Sequence, residues 1–204
     1  MASPHTADGG DAADFRFVGG RVCLDFAATL GKRHTEPVER LTDPAALVRW
    51  LGEAGLHSPG AAAPRVGEVG LAQARVLREA VNRLVRAAMK GRPYDRADAA
   101  VVNRAAAHPD LVPQLAAGES GPGVRWGQGR DAGAALATVA RDAVLLLGGP
   151  LVGRVKECGN PTCSLLFLDD SQAGRRRWCS MDRCGNLAKV AGYRARARHE
   201  TAEG

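Results

Sequence analysis

Four cysteines crowded into 27 residues restrict this 204-residue chain more than any other feature: Cys158-x4-Cys163-x15-Cys179-x4-Cys184. Each close pair can present two thiolates from one tight turn, and the longer loop can bring the two turns together. Two such pairs supply the four sulfurs of a closed tetrahedral site, and zinc is the usual ion of such sites. Gly159, Asn160 and Pro161 lie inside the first pair, as a turn requires. Four thiolates leave no place for water on the ion, so the expected Zn2+ is single and structural. Its role is to fold a segment too short to bury a core of its own. Two disulfides would need an oxidising compartment, of which the sequence carries no sign. A redox or metal-responsive thiol switch would keep the metal and change its role. Cys23 stands alone among apolar residues and reads as a small buried side chain rather than a nucleophile.

Around the cysteines the local pattern predicts a knuckle, a hairpin, a second knuckle and a helix. Residues 164–168 are apolar and strand-like, residues 169–174 form a turn, and Arg175-Arg176-Arg177-Trp178 is expected to return as the second strand. Ser180 is placed to cap the helix that follows.

Charge follows the same division. Residues 1–150 carry 18 basic and 16 acidic side chains, whereas 151–198 carry 10 and 4, so the net charge of +6 sits on about a quarter of the chain. A nearly neutral body joined to a basic end is a layout of polyanion-binding proteins, and equally of a merely soluble surface. On a helical wheel Asn186, Lys189, Tyr193 and Arg196 share one side, with Arg194 and Arg198 on another. The cations can neutralise phosphates, and Asn and Arg can read base edges. Arg175, Arg176 and Arg177 add charge before the second knuckle. The alternative is that Tyr193 packs on the hairpin and the arginines form a solvated face. Trp178 reads as a core plug rather than a base-stacking platform. Asp169 and Asp170 would repel phosphate, so their turn should point away from it.

The body is expected to be mainly α, an α+β domain with short hairpins. Aromatic residues make up only 4% of the chain, so its core must be Ala, Leu and Val, a composition that favours helices. Phe15–Val18 and Arg21–Leu24 about Gly19-Gly20 read as a β-hairpin, followed by a short helix from Asp25 to Leu30. Asp43-Pro44 opens a second helix ended by Gly55. Ser58–Gly67 is an Ala/Pro/Gly linker. Leu71, Ala74, Leu77, Val81, Leu84, Val85 and Ala88 mark a long helix over 69–90. Asp95 caps a helix reaching His108, residues 111–115 and 124–126 form two short strands, and Asp131 begins a last helix with Leu136, Val139, Ala140, Val144 and Leu147 inward. The expected divisions are a disordered leader over 1–14, a helical sensor or scaffold domain over 15–149, a zinc-finger module over 150–198 and a tail over 199–204. The break at Gly148-Gly149-Pro150 is short, so the two parts are expected to pack closely.

No apolar run approaches the length of a membrane span or a signal-peptide core, so the expected location is cytoplasmic. No metalloprotease, phosphate-loop or nucleophile signature is present, and His34, His57 and His108 are scattered, so no enzyme is expected. Arg21 and Asp25 could line a ligand pocket for a small-molecule effector or form a structural ion pair.

The string Arg176-Arg177-Trp178-Cys179-Ser180-Met181-Asp182-Arg183-Cys184-Gly185-Asn186, with Lys189 after it and Leu166–Ser171 before it, resembles the CGNR zinc finger. The body resembles the ABATE-type domain that accompanies this finger, through Gly20–Phe26, Trp50-Leu51 with Gly55-Leu56, and Leu77-Arg78-Glu79-Ala80. Together these span roughly residues 15–198. One position departs: Leu187 stands where the naming motif has Arg, so the basic contact expected there does not carry over. The resemblance implies a treble-clef-like finger on a bacterial, stress-induced transcription regulator that binds DNA, with no catalytic residues. RNA binding, and a zinc-stabilised protein-interaction adaptor without nucleic acid, remain alternatives. One such helix binds weakly alone, so a homodimer is expected if binding is specific.

Overall fold

The computed structural model describes residues 14–57, 62–118, 121–126 and 132–190. Its body is a set of helices around one long one. Helix α1 spans Val22–Ala27, and a two-residue pair, β1 (Leu30–Gly31) and β2 (Val38–Glu39), follows it. Then come α2 (Pro44–Glu53), α3 (Glu68–Met89) and α4 (Arg96–Ala106). The antiparallel ribbon of β3 (Pro113–Gly118) and β4 (Gly121–Trp126) precedes α5 (Ala132–Leu147). A 3-10 turn at Pro150–Arg154 leads into β5 (Val155–Glu157), which pairs with β6 (Leu166–Leu168). The mainly α body with small two-stranded sheets is the fold class that the residue pattern implies.

Local chemistry explains most helix ends. The Asp43 carboxylate accepts from the Ala46 N–H, with Pro44 in the first turn, and the Asp95 carboxylate accepts from the Ala97 and Asp98 N–H groups. Helix α3 buries Leu71, Ala74, Leu77, Val81, Leu84 and Val85 against α1, α4 and α5. The core is Ala/Leu/Val with one aromatic focus, where Trp50 meets Phe26 at a centroid distance of 4.9 Å.

Several expectations fail. Residues 15–24 form no hairpin: 14–18 belong to no regular element, Gly20 turns the chain at φ +76°, and α1 begins at Val22 rather than Asp25. Alternating apolar residues on either side of Gly-Gly fit either state, and burial of Cys23, Leu24, Phe26 and Ala27 on one helical face decides it. On α5 Val144 faces solvent and Leu146 is buried in its place. Arg175–Trp178 is not a strand; the partner of β6 is β5, which precedes the first knuckle. Asp131, part of the 58–67 linker, and residues 1–13 lie outside the described residues.

Two polar features of the body are invisible to hydrophobic patterning. Arg78 is 3% exposed on the buried stripe of α3 and forks onto Glu39 at 2.6 and 2.8 Å, while its Nε donates to Glu79 at 2.8 Å. Asp25, partly buried, accepts from the Gly19 N–H at 2.7 Å and so shapes the Gly19-Gly20 turn. Burial pushes the Asp25 carboxyl up to about 6, against backbone hydrogen bonds that pull it down; the nearby Asp142 carboxylate adds to the rise. A folded value above the unfolded 3.8 favours the protonated form, so the benefit is complete at low pH and is lost as pH rises through 6. Asp25→Asn is therefore expected to stabilise the protein by about 2 kcal/mol at pH 8, with the gain vanishing towards pH 4. Urea unfolding at the two pH values checks this.

Candidate metal centre and the basic surface around it

The β5–β6 hairpin holds the first knuckle at its tip. The Cys158 N–H donates to the Leu165 carbonyl at 2.9 Å, and the Cys163 N–H to the Asn160 carbonyl at 2.8 Å. The second knuckle is tied to the first by the Gly159 N–H donating to the Arg177 carbonyl at 2.8 Å. A Cβ at Gly159 would stand 3.2 Å from that carbonyl and 3.2 Å from the Trp178 ring, so glycine permits the approach. Ser180 then opens a π-helical turn, Met181–Gly185, although its side chain makes no capping bond; residues 186–190 continue as α-helix.

These turns bring the sulfurs of Cys158, Cys163, Cys179 and Cys184 within 4.8 Å of one another. The Cys179 sulfur lies 3.9 Å from that of Cys163 and 3.7 Å from that of Cys184, far beyond disulfide contact. A tetrahedron with metal–sulfur bonds of about 2.3 Å has sulfurs about 3.8 Å apart. The donor set and its spacing therefore fit a tetrahedral thiophilic ion. The electrostatics agree. Hydrogen bonds from the Cys163 and Cys179 thiols pull Cys158 far below the ordinary thiol range. The same pairing with Cys158 pushes Cys163 and Cys179 up, since a second thiolate beside the first is repelled. Left to themselves the thiols resist full ionisation; a divalent cation among them reverses that preference.

Further donors steady the sulfurs. The Cys179 N–H points at the Cys158 sulfur at 3.5 Å, and the Asn160 side-chain amide at the Cys184 sulfur at 3.5 Å. Asn160 had no sequence signal beyond its place in a turn.

The basic residues divide into two groups. Arg176 is a brace: its guanidinium lies 4.7 Å over the Phe167 ring, Nε donates to the Trp178 carbonyl at 3.0 Å, and Nη2 reaches the Cys179 carbonyl. These contacts hold it within the finger, with part of the side chain still exposed. Arg175 and Arg177 are exposed, Arg177 lying 5.2 Å over the half-buried Trp178, which packs on the cysteine cluster. Asn186 and Lys189 are exposed on the helical segment, with the Asn186 amide donating to the Asp182 carbonyl at 3.1 Å. Tyr193, Arg194, Arg196 and Arg198 lie outside the described residues. Asp169 is no surface repellent: it is buried, and Lys156 at 2.6 Å holds its carboxyl well below the usual range, helped by Ser171. Asp170 is exposed and lies 3.7 Å from Arg176.

Finger and body are tightly joined. Val155 and Leu166 belong to the body core, the Leu168 N–H donates to the Gly19 carbonyl at 2.8 Å, and Arg86 of α3 forks onto Glu157 at 2.8 and 2.9 Å. His34 meets the same carboxylate at 2.6 Å, whereas His108 meets the Pro109 carbonyl. Arg21 pairs with Asp142 at 2.5 Å and Asp25 with the Gly19 backbone, so the two ends of that expected ion pair have separate partners.

The described helices contain none long and apolar enough to cross a membrane. No curated protein matches the chain. The family described as "Putative stress-induced transcription regulator" (ABATE) matches residues 20–150, and the CGNR zinc finger matches 154–197, including all four clustered cysteines. The first match alone covers more than half of the sequence, and the second falls on the cysteine cluster: the chain belongs to the ABATE family and carries a CGNR zinc finger.

Proposed function

We propose that this protein is an intracellular transcription regulator that holds one structural Zn2+ through Cys158, Cys163, Cys179 and Cys184 and binds DNA with the basic helix that follows Cys184. The observation that carries the reading is the placement of the sulfur cluster directly at the root of that helix. Cys184 is buried in the cluster, and two residues later the exposed Asn186 begins the helical segment that carries Lys189. The ion orders the helix start, and Arg175 and Arg177 add cations beside it. A shell of four sulfurs supplies folding energy and no catalysis, so no enzymatic step forms part of the reading.

Nucleic-acid binding of this kind is dominated by counterion release. The double variant Lys189→Ala/Arg196→Ala is expected to keep its zinc and to lose DNA retention by about tenfold or more near physiological salt, with the slope of log K against log salt reduced by about 2. Fluorescence anisotropy with duplex DNA across a salt series, beside metal analysis of the same samples, checks both parts. Unchanged retention removes the helix from the interface. The same titration with single-stranded and duplex RNA separates the two nucleic acids.

A specific observation favours a second reading, a zinc-stabilised adaptor for another protein. Met181, Leu187 and Val190 are 54, 60 and 47% exposed on the same finger, and Leu187 occupies the position where the finger's motif has a cation. A flat salt response with retained partner binding is the outcome that reading requires. A homodimer built through either surface would double the contact area, and sedimentation of the zinc-loaded protein reports it.

A further inference from the structure

A cleft of about 500 Å3 opens where the end of α3, the 3-10 turn and β5 meet residues 175–177 of the finger. Ala88, Met89, Val152 and Val155 give it an apolar wall, with Met89 37% exposed at the end of its helix. The volume lies in the range of ligand-binding clefts. Five ionisable side chains also line it, and their charges do not cancel. Three are matched. Lys156 holds the buried Asp169 at 2.6 Å, Arg86 forks onto Glu157 at 2.8 and 2.9 Å, and Arg176 is held by backbone carbonyls and lies 3.7 Å from Asp170. Arg175 and Arg177 are exposed and pair with no carboxylate among the described residues. Arg177 lies 5.2 Å over the Trp178 ring, which carries no charge to offset it. The cleft therefore sets two uncompensated cations beside an apolar wall.

The backbone adds an independent observation. The Cys158 N–H donates to the Leu165 carbonyl and the Asp169 N–H to the Arg154 carbonyl, both at 2.9 Å, so residues 154, 156 and 158 face β6. By the alternation of an antiparallel pair, the backbone groups of Val155 and Glu157 face the other way. On that side the Val155 N–H is taken by the Val152 carbonyl, and the Gly159 N–H by the Arg177 carbonyl. Between those two bonds no strand covers the Val155 carbonyl and the Glu157 N–H, because this sheet consists of β5 and β6 alone among the described residues. An open edge of this kind is a template for an added extended chain. Val155, Glu157, Gly159 and Arg177 all line the cleft, so the edge opens into it.

We propose that this cleft docks an extended acidic segment of a partner protein, one that alternates carboxylate and apolar side chains. The segment adds along the β5 edge, its carboxylates meet Arg175 and Arg177, and its apolar side chains lie on Met89 and Val152. Alternation follows from the period of an extended chain, which sends successive side chains to opposite sides. Duplex DNA suits the cleft less, since a phosphate backbone has nothing to lay on an apolar wall and cannot extend a strand edge. The lining includes no residue of the helical segment that carries Lys189, so this surface and the DNA-binding helix stand or fall separately.

A fluorescein-labelled octapeptide alternating Glu and Leu serves as the probe, in anisotropy titrations of the zinc-loaded full chain at low salt. Octapeptides of Glu with Ser and of Ser with Leu are the charge-only and apolar-only comparisons. The Glu/Leu probe is expected to bind saturably and at least about fivefold tighter than either. Arg175→Ala/Arg177→Ala should weaken it by about fivefold or more with zinc content and Tm unchanged. Met89→Ser should weaken the Glu/Leu probe by about threefold and leave the Glu/Ser peptide unaltered, a split that charge attraction alone does not produce. Lys189→Ala/Arg196→Ala should leave the probe unaltered, whatever it does to DNA retention. The proposal is overturned by no saturable binding up to about 1 mM probe, or by a probe affinity that either Arg175→Ala/Arg177→Ala or Met89→Ser leaves unchanged. It is equally overturned by an equal loss in Lys189→Ala/Arg196→Ala, which would mark diffuse basic charge, or by duplex DNA being the only ligand that Arg175→Ala/Arg177→Ala weakens.

Discussion

Replacing Cys179 by Ser is expected to abolish stoichiometric metal binding and to unfold the two knuckles and residues 174–190, while the β5–β6 hairpin and most of the body's helix survive. Cys179 is the hub of the cluster: its sulfur approaches those of Cys163 and Cys184, and its N–H points at Cys158. A serine hydroxyl remains protonated at neutral pH and is a poor partner for a thiophilic ion. Outside the β5–β6 hairpin, whose Val155 and Leu166 pack in the body core, the finger has little else to hold it. Its own apolar cluster has Phe167 as the one fully buried large side chain, surrounded by the cysteines, Leu165 and Trp178. Metal binding free energy in such segments is folding free energy, on the order of 10 kcal/mol in isolated zinc fingers. Metal analysis should fall from about one ion per chain to nearly none. Near-UV dichroism of Trp178 should collapse and proteolysis should open the 174–190 segment, whereas far-UV helix signal should drop only modestly. A strong chelator should give the same picture in the unsubstituted protein. Retention of one ion with intact Trp178 dichroism would show that three sulfurs suffice, and would refute the closed four-sulfur centre.

Arg78→Met should cost about 3 kcal/mol, more than any other single substitution in the body's polar network. The guanidinium is buried and is shared by Glu39 and Glu79, the latter also forked by Arg33 at 2.6 and 3.1 Å. Arg33 in turn donates its backbone N–H to the Ser164 hydroxyl, so the chain of contacts reaches the first knuckle. Removing Arg78 leaves the half-buried Glu39 carboxylate with the Leu41 N–H and with Arg75 at 3.8 Å, whereas Glu79 keeps Arg33, and unpairing a half-buried carboxylate is the costly way to break such a pair. The double variant Arg78→Met/Glu39→Gln should therefore lose clearly less than the two single losses combined. Urea midpoints of the three proteins measure that coupling, and strict additivity would deny the pair its role. The acid response has a fixed sign. Burial alone would raise Glu39, Glu79 and Glu157, but Arg78, Arg33 and Arg86, respectively, more than offset it and hold all three carboxyls below their ordinary 4.5. Their stabilisation is complete above that value and is lost as pH falls through the lowered folded values, so midpoints should decline below about pH 4.5. Arg78→Met should flatten that decline.

The parts of this protein legible from residues alone are those whose physics is local. Thiolate pairs four residues apart with a Gly-Asn-Pro turn between them mark a knuckle wherever they occur, and the sulfurs do converge at metal-like spacing. Asp43 with Pro44 and Asp95 at helix starts, and the three- and four-residue apolar spacing of α3, are equally self-contained, because capping and amphipathicity need no distant partner.

What failed or went unseen depends on residues far apart in the chain. Strand β6 pairs with Val155–Glu157 rather than with the expected Arg175–Trp178, and packing made that choice. Val155 and Leu166 join the body core, while Arg176 is drawn onto Phe167 and the second knuckle's carbonyls. The segment after Gly20 became helix because one helical face could bury Cys23, Leu24, Phe26 and Ala27 together. Burying Arg78, pairing Arg86 with Glu157, and setting Arg175 and Arg177 beside Met89 and Val152 around one cleft all bring together side chains from separate elements. Sequence determined that this chain has a helical body and a four-cysteine finger; only the tertiary structure decided how the two are locked together, because desolvation and ion pairing act between neighbours in space rather than along the chain.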